Sequence, residues 1–294
     1  MSTLFGGNVY AGLAGIDLVN DSFDLGSGIL LRKVYAHLFS PFMMAFEPAP
    51  TGKHHPGPWK SASGGFSFDV NAELFIPENI ETEFGSKIGV ARTLVFLFRL
   101  GVNPAITLPV FSNHSFDTLA EIPDSDARLF PYEVQNRHFP LGVAGGKVDD
   151  GAVQWVSERW SKTHGLIENS PEFALAAQAI DSGQFVENHA LTLVSLWGAL
   201  EALFSPSTSE LKFRVSALIA SFLEEAGENR AQRQKAVASL YDKRSAAAHG
   251  KPKHKPEHLL ETFNLLREVL FRIIERGSVP KKEELEGMLF GGHK

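Results

Sequence analysis

The chain contains no cysteine among its 294 residues, so disulfide bonds and zinc sites made of thiolates are excluded. Its longest apolar run, Thr93 to Phe98, is far too short to cross a bilayer. The first twenty residues lack a basic start and contain Asp17, so no signal peptide is predicted. We therefore expect a cytoplasmic protein that does not enter a membrane and that buries enough apolar surface to fold without covalent links.

Recognisable loops for cofactors are also absent. The sequence has no Walker loop, no Gly-x-Gly-x-x-Gly after a strand and no Gly-x-Ser-x-Gly, so nucleotide binding and serine hydrolysis have no positive support. The segment His254-Lys-Pro-Glu257-His258 matches His-x-x-Glu-His, a zinc pattern that needs a regular helix, which Pro256 interrupts. We expect no metal and no cofactor, and interpret Glu257 as an acid that favours a helix N-terminus. A zinc site with a third ligand from elsewhere in the chain is the alternative.

The distribution of charge is uneven along the chain. The net charge is −6, which argues against indiscriminate binding of nucleic acids. Residues 228–258 are the exception, because they hold eight basic residues and three acids. Mixed charge of this kind usually marks a solvated helical face, but it also fits a local patch that attracts phosphate. In the second interpretation the lysines that contact RNA are Lys243, Lys251, Lys253 and Lys255.

The first half of the chain predicts a mixed fold that is rich in short strands. Alternating residues predict a strand at Phe66–Val70, and Ile29–Phe39 and Ala105–Phe111 are further strands. Prolines and paired glycines predict a loop over Thr51–Gly65. The apolar residues of Ile88–Leu100 have helical spacing, which favours a helix there.

The glycine-rich segment Leu141–Gly151 is the best candidate for a domain boundary. We divide the chain into a strand-rich domain of unknown role (1–145), a helical domain (146–278) and a polar tail (279–294). The predicted fold class is α+β, with a mixed α/β region followed by an all-α bundle.

The helical domain is predicted from successive amphipathic segments with short loops, which pack as a bundle. Ser207 and Glu210 form a capping box at the start of one of these segments. Helices are predicted over Ser170–Ile180, Leu191–Phe204, Ser207–Glu225, Asn229–His249 and Pro256–Gly277.

Two charged residues fall on apolar stripes of this bundle. Glu201 lies in register with Val194 and Trp197, and Arg244 lies in register with Tyr241. Because a lone buried charge is costly, the two residues are candidates to pair with each other. The alternative is that each lies at the edge of its stripe and extends to water.

Arg244 and His249 form an Arg-x4-His pattern, which by itself has little specificity. The pattern also occurs at Arg32–His37 and at Arg159–His164. Arg32 and His37 lie in a predicted strand, which points residues five apart to opposite faces. Arg159 has no acidic partner that the sequence reveals. Arg244 and His249 end a helix before Gly250, where a loosened turn lets their side chains converge.

These motifs resemble the Apea-like branch of the HEPN family. The similar segments are Trp197-Gly-Ala-Leu-Glu201-Ala-Leu-Phe204 and, two helices on, Tyr241-Asp-Lys-Arg244-Ser245-Ala-Ala-Ala-His249-Gly250. The resemblance covers about a third of the chain, roughly 184–277. It implies a homodimer of helical bundles that cleaves RNA without a metal, as a toxin or an antiviral defence effector.

In this resemblance Arg244 and His249 are the catalytic residues, and Glu201, Tyr241 and Ser245 support them. A histidine near neutral pKa can remove the proton of a ribose 2′-hydroxyl. A guanidinium can hold the phosphate and stabilise its developing charge, and attack by the 2′-oxygen then gives a 2′,3′-cyclic phosphate. The alternative is a HEPN module without catalysis, which binds partners and whose N-terminal domain senses a ligand or a protein.

Overall fold

The computed structural model of the chain describes residues 7–138, 146–204, 211–248 and 255–290. The fold class is α+β, as predicted: an antiparallel sheet is followed by a run of helices. The described residues form two compact units. One unit draws on Met1–Ala91, Ile106–Val134 and Lys147–Val153, and the other on Arg92–Ala105, Gln135–Gly146 and Gln154–Lys294.

These units differ from a single cut after residue 145, because two segments of the first half belong with the helices. The helix α2 (Lys87–Gly101) begins in the sheet unit and ends in the helical unit. Near its end, Phe96 packs edge-on against Phe173 at 6.4 Å, and Arg267 donates to the Leu100 carbonyl at 2.6 Å. The packing of α2, rather than the glycine-rich composition of 141–151, decides which of its residues belong to the helical unit.

The sheet unit is built on six antiparallel strands. They are β1 (Val9–Ala14), β2 (Ser22–Asp24), β3 (Leu30–Ala45), β4 (Trp59–Ile76), β5 (Thr107–Ser112) and β6 (Leu129–Pro131). Their order in the sheet is β2-β3-β4-β1-β5-β6. Apolar residues of the central strands, such as Ala11, Leu31 and Leu74, are fully buried. A short helix, α1 (Ile80–Phe84), precedes α2.

The hairpin of β3 and β4 corrects one prediction. The sequence predicts a loop through Gly65, yet β4 begins at Trp59 and pairs with β3 from Ala45↔Trp59 onward. Gly64 and Gly65 have φ values of 126° and 87°, and the register shifts between Ser40 and Phe42 on the opposite strand. The glycine pair therefore forms an irregularity inside a strand, where its composition suggested a loop.

The first competing Arg-x4-His pattern lies in this hairpin and its two side chains bind different carboxylates. Arg32 pairs with the fully buried Glu73, whose oxygens also accept hydrogen bonds from Ser115 and from the backbone N–H of Phe116. His37 contacts Asp69 at 2.8 Å. A buried carboxylate with this many donors is stabilised by them, so Arg32 belongs to the framework of the sheet.

The predicted helices are confirmed to within four residues at each described end. The helices that follow α2 along the chain are α3 (Asp150–Ser157), α4 (Trp160–Asn169), α5 (Pro171–Gly183), α6 (His189–Phe204), α7 (Leu211–Leu223), α8 (Glu228–Ala248), α9 (Pro256–Arg276) and α10 (Lys282–Leu289). Consecutive helices pack through buried apolar residues: Phe204 of α6 meets Phe222 of α7 edge-on at 5.5 Å.

The end of the chain differs from a simple polar tail. Helix α9 stops where predicted, at Gly277, which takes the left-handed conformation with φ of 77°. The next residues form α10, because Leu285 and Met288 are three apart and bury the same face. Ser207 and Glu210, the predicted capping box, lie outside the described residues. Among the residues that are described, no helix is long and apolar enough to span a membrane.

Candidate functional site

The predicted ion pair between α6 and α8 is confirmed. Arg244 Nη2 donates to Glu201 Oε2 at 3.1 Å. Both residues stand on the apolar stripes of their helices, so packing of α6 against α8 brings the two charges together. The Glu201 side chain is 18% exposed and that of Arg244 is 23% exposed, which places the pair at a partly open position between core and solvent.

Tyr241 and Trp197 complete a compact cluster around this pair. The Tyr241 hydroxyl donates to the second carboxylate oxygen of Glu201 at 2.8 Å. Its ring meets the fully buried ring of Trp197 edge-on at 5.1 Å. The Arg244 guanidinium lies over the ring of Tyr241, 5.4 Å from the ring centroid. Glu201 therefore receives two donors while Tyr241 supports the cation, and Arg244 is held in one orientation.

The guanidinium of Arg244 is only partly used. Nη2 binds Glu201, whereas Nε is buried without a hydrogen-bond partner among the described residues. The exposed part of the side chain thus belongs to its other atoms. A guanidinium that is fixed by one carboxylate and belongs to a partly exposed side chain can bind a phosphate oxygen.

Several predicted residues lie where the structure does not describe them. His249, Lys251 and Lys253 fall in the undescribed segment 249–254. Ser245 belongs to the last turn of α8, but its side chain is outside the described part. The convergence of Arg244 and His249 therefore stays a prediction.

The two other candidate lysines are described. Lys243 lines a groove of about 490 Å³ between α8 and α9, together with His258 and Glu261. Neither Glu201 nor Arg244 lines this groove, so Lys243 contributes to a different surface from the pair. Lys255 is exposed just before α9.

The three arginines in 228–258 all make polar contacts inside the helical unit. Arg233 pairs with Glu224 at 3.1 Å and with Glu268 at 3.0 Å. Arg230 donates to the carbonyls of Glu224 and Met288. These contacts, with the pairing of Arg244, support the interpretation of the segment as a solvated helical face more than a continuous phosphate patch.

The third Arg-x4-His pattern requires a correction, because Arg159 does have an acidic partner. Its Nε and Nη2 donate to the two carboxylate oxygens of Glu275 at 2.7 and 3.0 Å. This pairing raises the pKa of Arg159 and lowers that of Glu275. His164 is buried and bonds to Thr93 at 3.0 Å. An acidic partner thus does not distinguish Arg244 from Arg159. The distinction is that Arg159 uses its fork fully and that its histidine is inaccessible.

In the possible zinc pattern His254-Lys-Pro-Glu257-His258, His258 is the histidine that the structure describes, and it has a structural role. His258 Nδ1 accepts the backbone N–H of Lys255 at 3.0 Å, so the side chain caps the start of α9. His254 lies outside the described residues. Within the described ranges, no group of three metal-binding side chains is found.

The hydroxyl of Tyr241 provides a test of the cluster that does not need activity. Burial, and then the hydrogen bond to Glu201, raise the pKa of Tyr241 above its ordinary value of 10.0. A raised folded-state pKa stabilises the fold below the unfolded pKa, and this contribution is lost as the pH rises through the folded pKa. We expect the difference in unfolding free energy between the parent and Tyr241→Phe to shrink above about pH 10. Urea unfolding across pH 8–11.5 measures it, and a constant difference would show that Glu201 does not hold the phenol.

Comparisons of the chain with family models, with curated proteins and with solved structures returned no match. The resemblance to the HEPN family therefore rests on the residues of α6 and α8 themselves.

Proposed function

We propose that the helical unit is a metal-independent endoribonuclease of the HEPN type, with Arg244 and His249 as its catalytic residues. The observation that supports this proposal best is the arrangement of Arg244. Glu201 fixes its guanidinium through one nitrogen, and part of the side chain remains exposed. In the sequence, Arg244 precedes His249 by five residues.

The chemistry follows from the two side chains. His249 removes the proton from the ribose 2′-hydroxyl, and the 2′-oxygen attacks the adjacent phosphorus. Arg244 stabilises the negative charge that grows on the phosphate oxygens. The bond to the 5′-oxygen breaks, that oxygen takes up a proton, and the products carry a 2′,3′-cyclic phosphate and a 5′-hydroxyl. Glu201 and Tyr241 act as positioning residues, because they hold the guanidinium in place.

One histidine does not readily supply both the base and the acid. A homodimer through the helical unit would place a second His249 opposite the first, since a twofold interface presents each residue twice. In this arrangement one imidazole accepts the proton and the other donates one to the leaving oxygen. The same proposal assigns the protein a role as a toxin or an antiviral defence effector that cleaves RNA.

A second candidate is a HEPN module that binds a partner without cleaving RNA. The ion pair between Arg233 and Glu224 favours it, because this pairing removes a cation that would otherwise attract a phosphate backbone. In that case the Glu201–Arg244 pair is only structural.

The two functions are separated by incubating the pure protein with mixed RNA in EDTA and identifying the ends of the products. The nuclease predicts fragments with 2′,3′-cyclic phosphates in the absence of metal. Intact RNA, or cleavage that appears only when a divalent metal is restored, would favour the binding module or a contaminating enzyme.

A further inference from the structure

The outer part of the β3–β4 hairpin carries a concentration of exposed apolar side chains. Among the described residues, thirteen large hydrophobic side chains are exposed, and seven of them lie in or beside this hairpin. We call residues 35–70 the arm. Its exposed residues are Tyr35, Phe39, Phe42, Met43, Met44, Phe46 and Trp59, with exposed fractions between 46% and 69%. Such a cluster on one element is unusual for a surface that faces only water.

Both faces of the arm contribute to this surface. The ladder pairs Phe42 with Ala62 and Met44 with Lys60 on one face. The other face carries Met43 and, through the pair Ala45↔Trp59, the tryptophan. A two-stranded ribbon alone is only marginally stable in water, so this arm needs cover on its faces.

The edges of the arm are less suited to a partner than its faces. Strand β2 pairs with β3 only as far as Arg32, and β1 pairs with β4 only from Ala72. Farther out, no described strand covers either edge. Proline at position 41 removes a backbone donor from β3, and the Gly64–Gly65 irregularity interrupts β4. The partner therefore packs on side chains and does not add a strand.

The chemistry of the arm indicates a protein partner. Its charged residues are Glu47, Lys53, Lys60 and Asp69, so its formal charge is zero with neutral histidines, unlike the basic surfaces that attract anionic lipids or RNA. Six of the seven apolar residues lie along the strands. The turn 46–58 holds the seventh, Phe46, together with Glu47, Lys53 and two histidines. A polar tip with apolar sides fits lateral packing against another protein and does not fit insertion of the tip into a bilayer.

We propose that the arm packs against the arm of a second copy of this chain. The seven side chains expose on the order of 800 Å² of apolar surface, if each offers about 200 Å² in full. A partner that covers both faces of the arm would bury about the area that each partner contributes to an interface of standard size. A twofold arrangement is self-complementary, because each copy offers the apolar faces that the other must cover. The proposal concerns the sheet unit alone and is independent of the nuclease.

The test compares charged substitutions on the arm with one elsewhere. Sedimentation equilibrium at micromolar concentration should show an association step in the parent, additional to a dimer through the helical unit, that Phe39→Glu and Phe42→Glu each weaken by at least about 30-fold. The control is Leu191→Glu in α6, where the side chain is equally exposed at 62%. A monomeric parent, or arm variants with the mass of the parent, would overturn the proposal. Loss of association in the control alone would place the interface in the helical unit.

Cross-linking keeps the proposal testable if the glutamate variants misfold. Because the chain has no cysteine, Ser67→Cys introduces a single thiol on the arm, opposite Phe39. A short bis-maleimide should join two copies of this variant efficiently, while Ser125→Cys, exposed in a loop of the same unit, should stay uncoupled. Equal cross-linking of both variants, or flotation of the parent with neutral vesicles that Phe42→Glu abolishes, would contradict contact between two arms.

Discussion

Glu201→Ala should lower the unfolding free energy by about 1–3 kcal/mol, between the values of exposed and fully buried ion pairs. The substitution removes the acceptor of both Tyr241 and Arg244. It leaves a buried hydroxyl and a partly buried cation without that partner, which is costly for both groups. Because each side chain of the pair retains some exposure, the loss should stay below that of a fully buried pair. Urea unfolding measures it directly.

Two control variants make this experiment specific. Glu201→Gln keeps an oxygen that can accept from Tyr241 but loses the charge, so it should recover part of the stability. Asp242→Ala, in α8 itself, removes a shorter ion pair with Lys212 at 2.7 Å. Both members of that pair are about half exposed, so its loss should cost less than about 0.5–1 kcal/mol. If Glu201→Ala unfolds at the same urea concentration as the parent, Arg244 is solvated at the edge of the bundle and the cluster loses its structural basis.

Arg244→Lys should reduce the rate of RNA cleavage by roughly 10²–10³-fold, although it keeps the positive charge. Lysine has no planar fork, so it cannot bind Glu201 and a phosphate in the same fixed geometry. Since the interaction strengthens as charge develops on the phosphate, the loss should fall mainly on kcat and less on KM. Arg244→Ala should be at least as impaired. Single-turnover and steady-state kinetics separate the two parameters.

The matched control is Lys235→Ala, which removes an exposed cation from the same helix. It should change kcat by less than about threefold, because a distant surface charge affects mainly encounter with RNA. Equal losses in Lys235→Ala and Arg244→Lys would show that α8 only attracts RNA electrostatically. Thermal melts of each variant distinguish a lost catalytic group from a lost fold.

The core of the site was predictable because its signal is local. Glu201 and Arg244 interrupt regular apolar stripes, and the spacing within each helix is enough to show that both face the bundle. The contact of Tyr241 with the same carboxylate follows from its position on the stripe of Arg244. That the pair is only partly buried depends on how closely the helices pack, which periodicity does not report.

Other contacts could not be predicted from the sequence, because they join distant segments. Arg159 and Glu275 are 116 residues apart. Arg159 lies between α3 and α4, where no apolar stripe indicates its partner. Gly64 and Gly65 have a composition that favours a loop, and only pairing with β3 keeps them within a strand. Helix α10 is short and mostly polar, so its two buried residues give a weak periodic signal.

The central claim is tested most directly by the rates at which the parent and His249→Ala cleave the same RNA in EDTA. A general base contributes roughly 10²–10⁴-fold to such a reaction, so the account predicts that the parent cleaves to 2′,3′-cyclic phosphates and that His249→Ala is slower by at least 10²-fold. Equal rates in the two proteins, or intact RNA in both, would contradict the assignment of a HEPN nuclease.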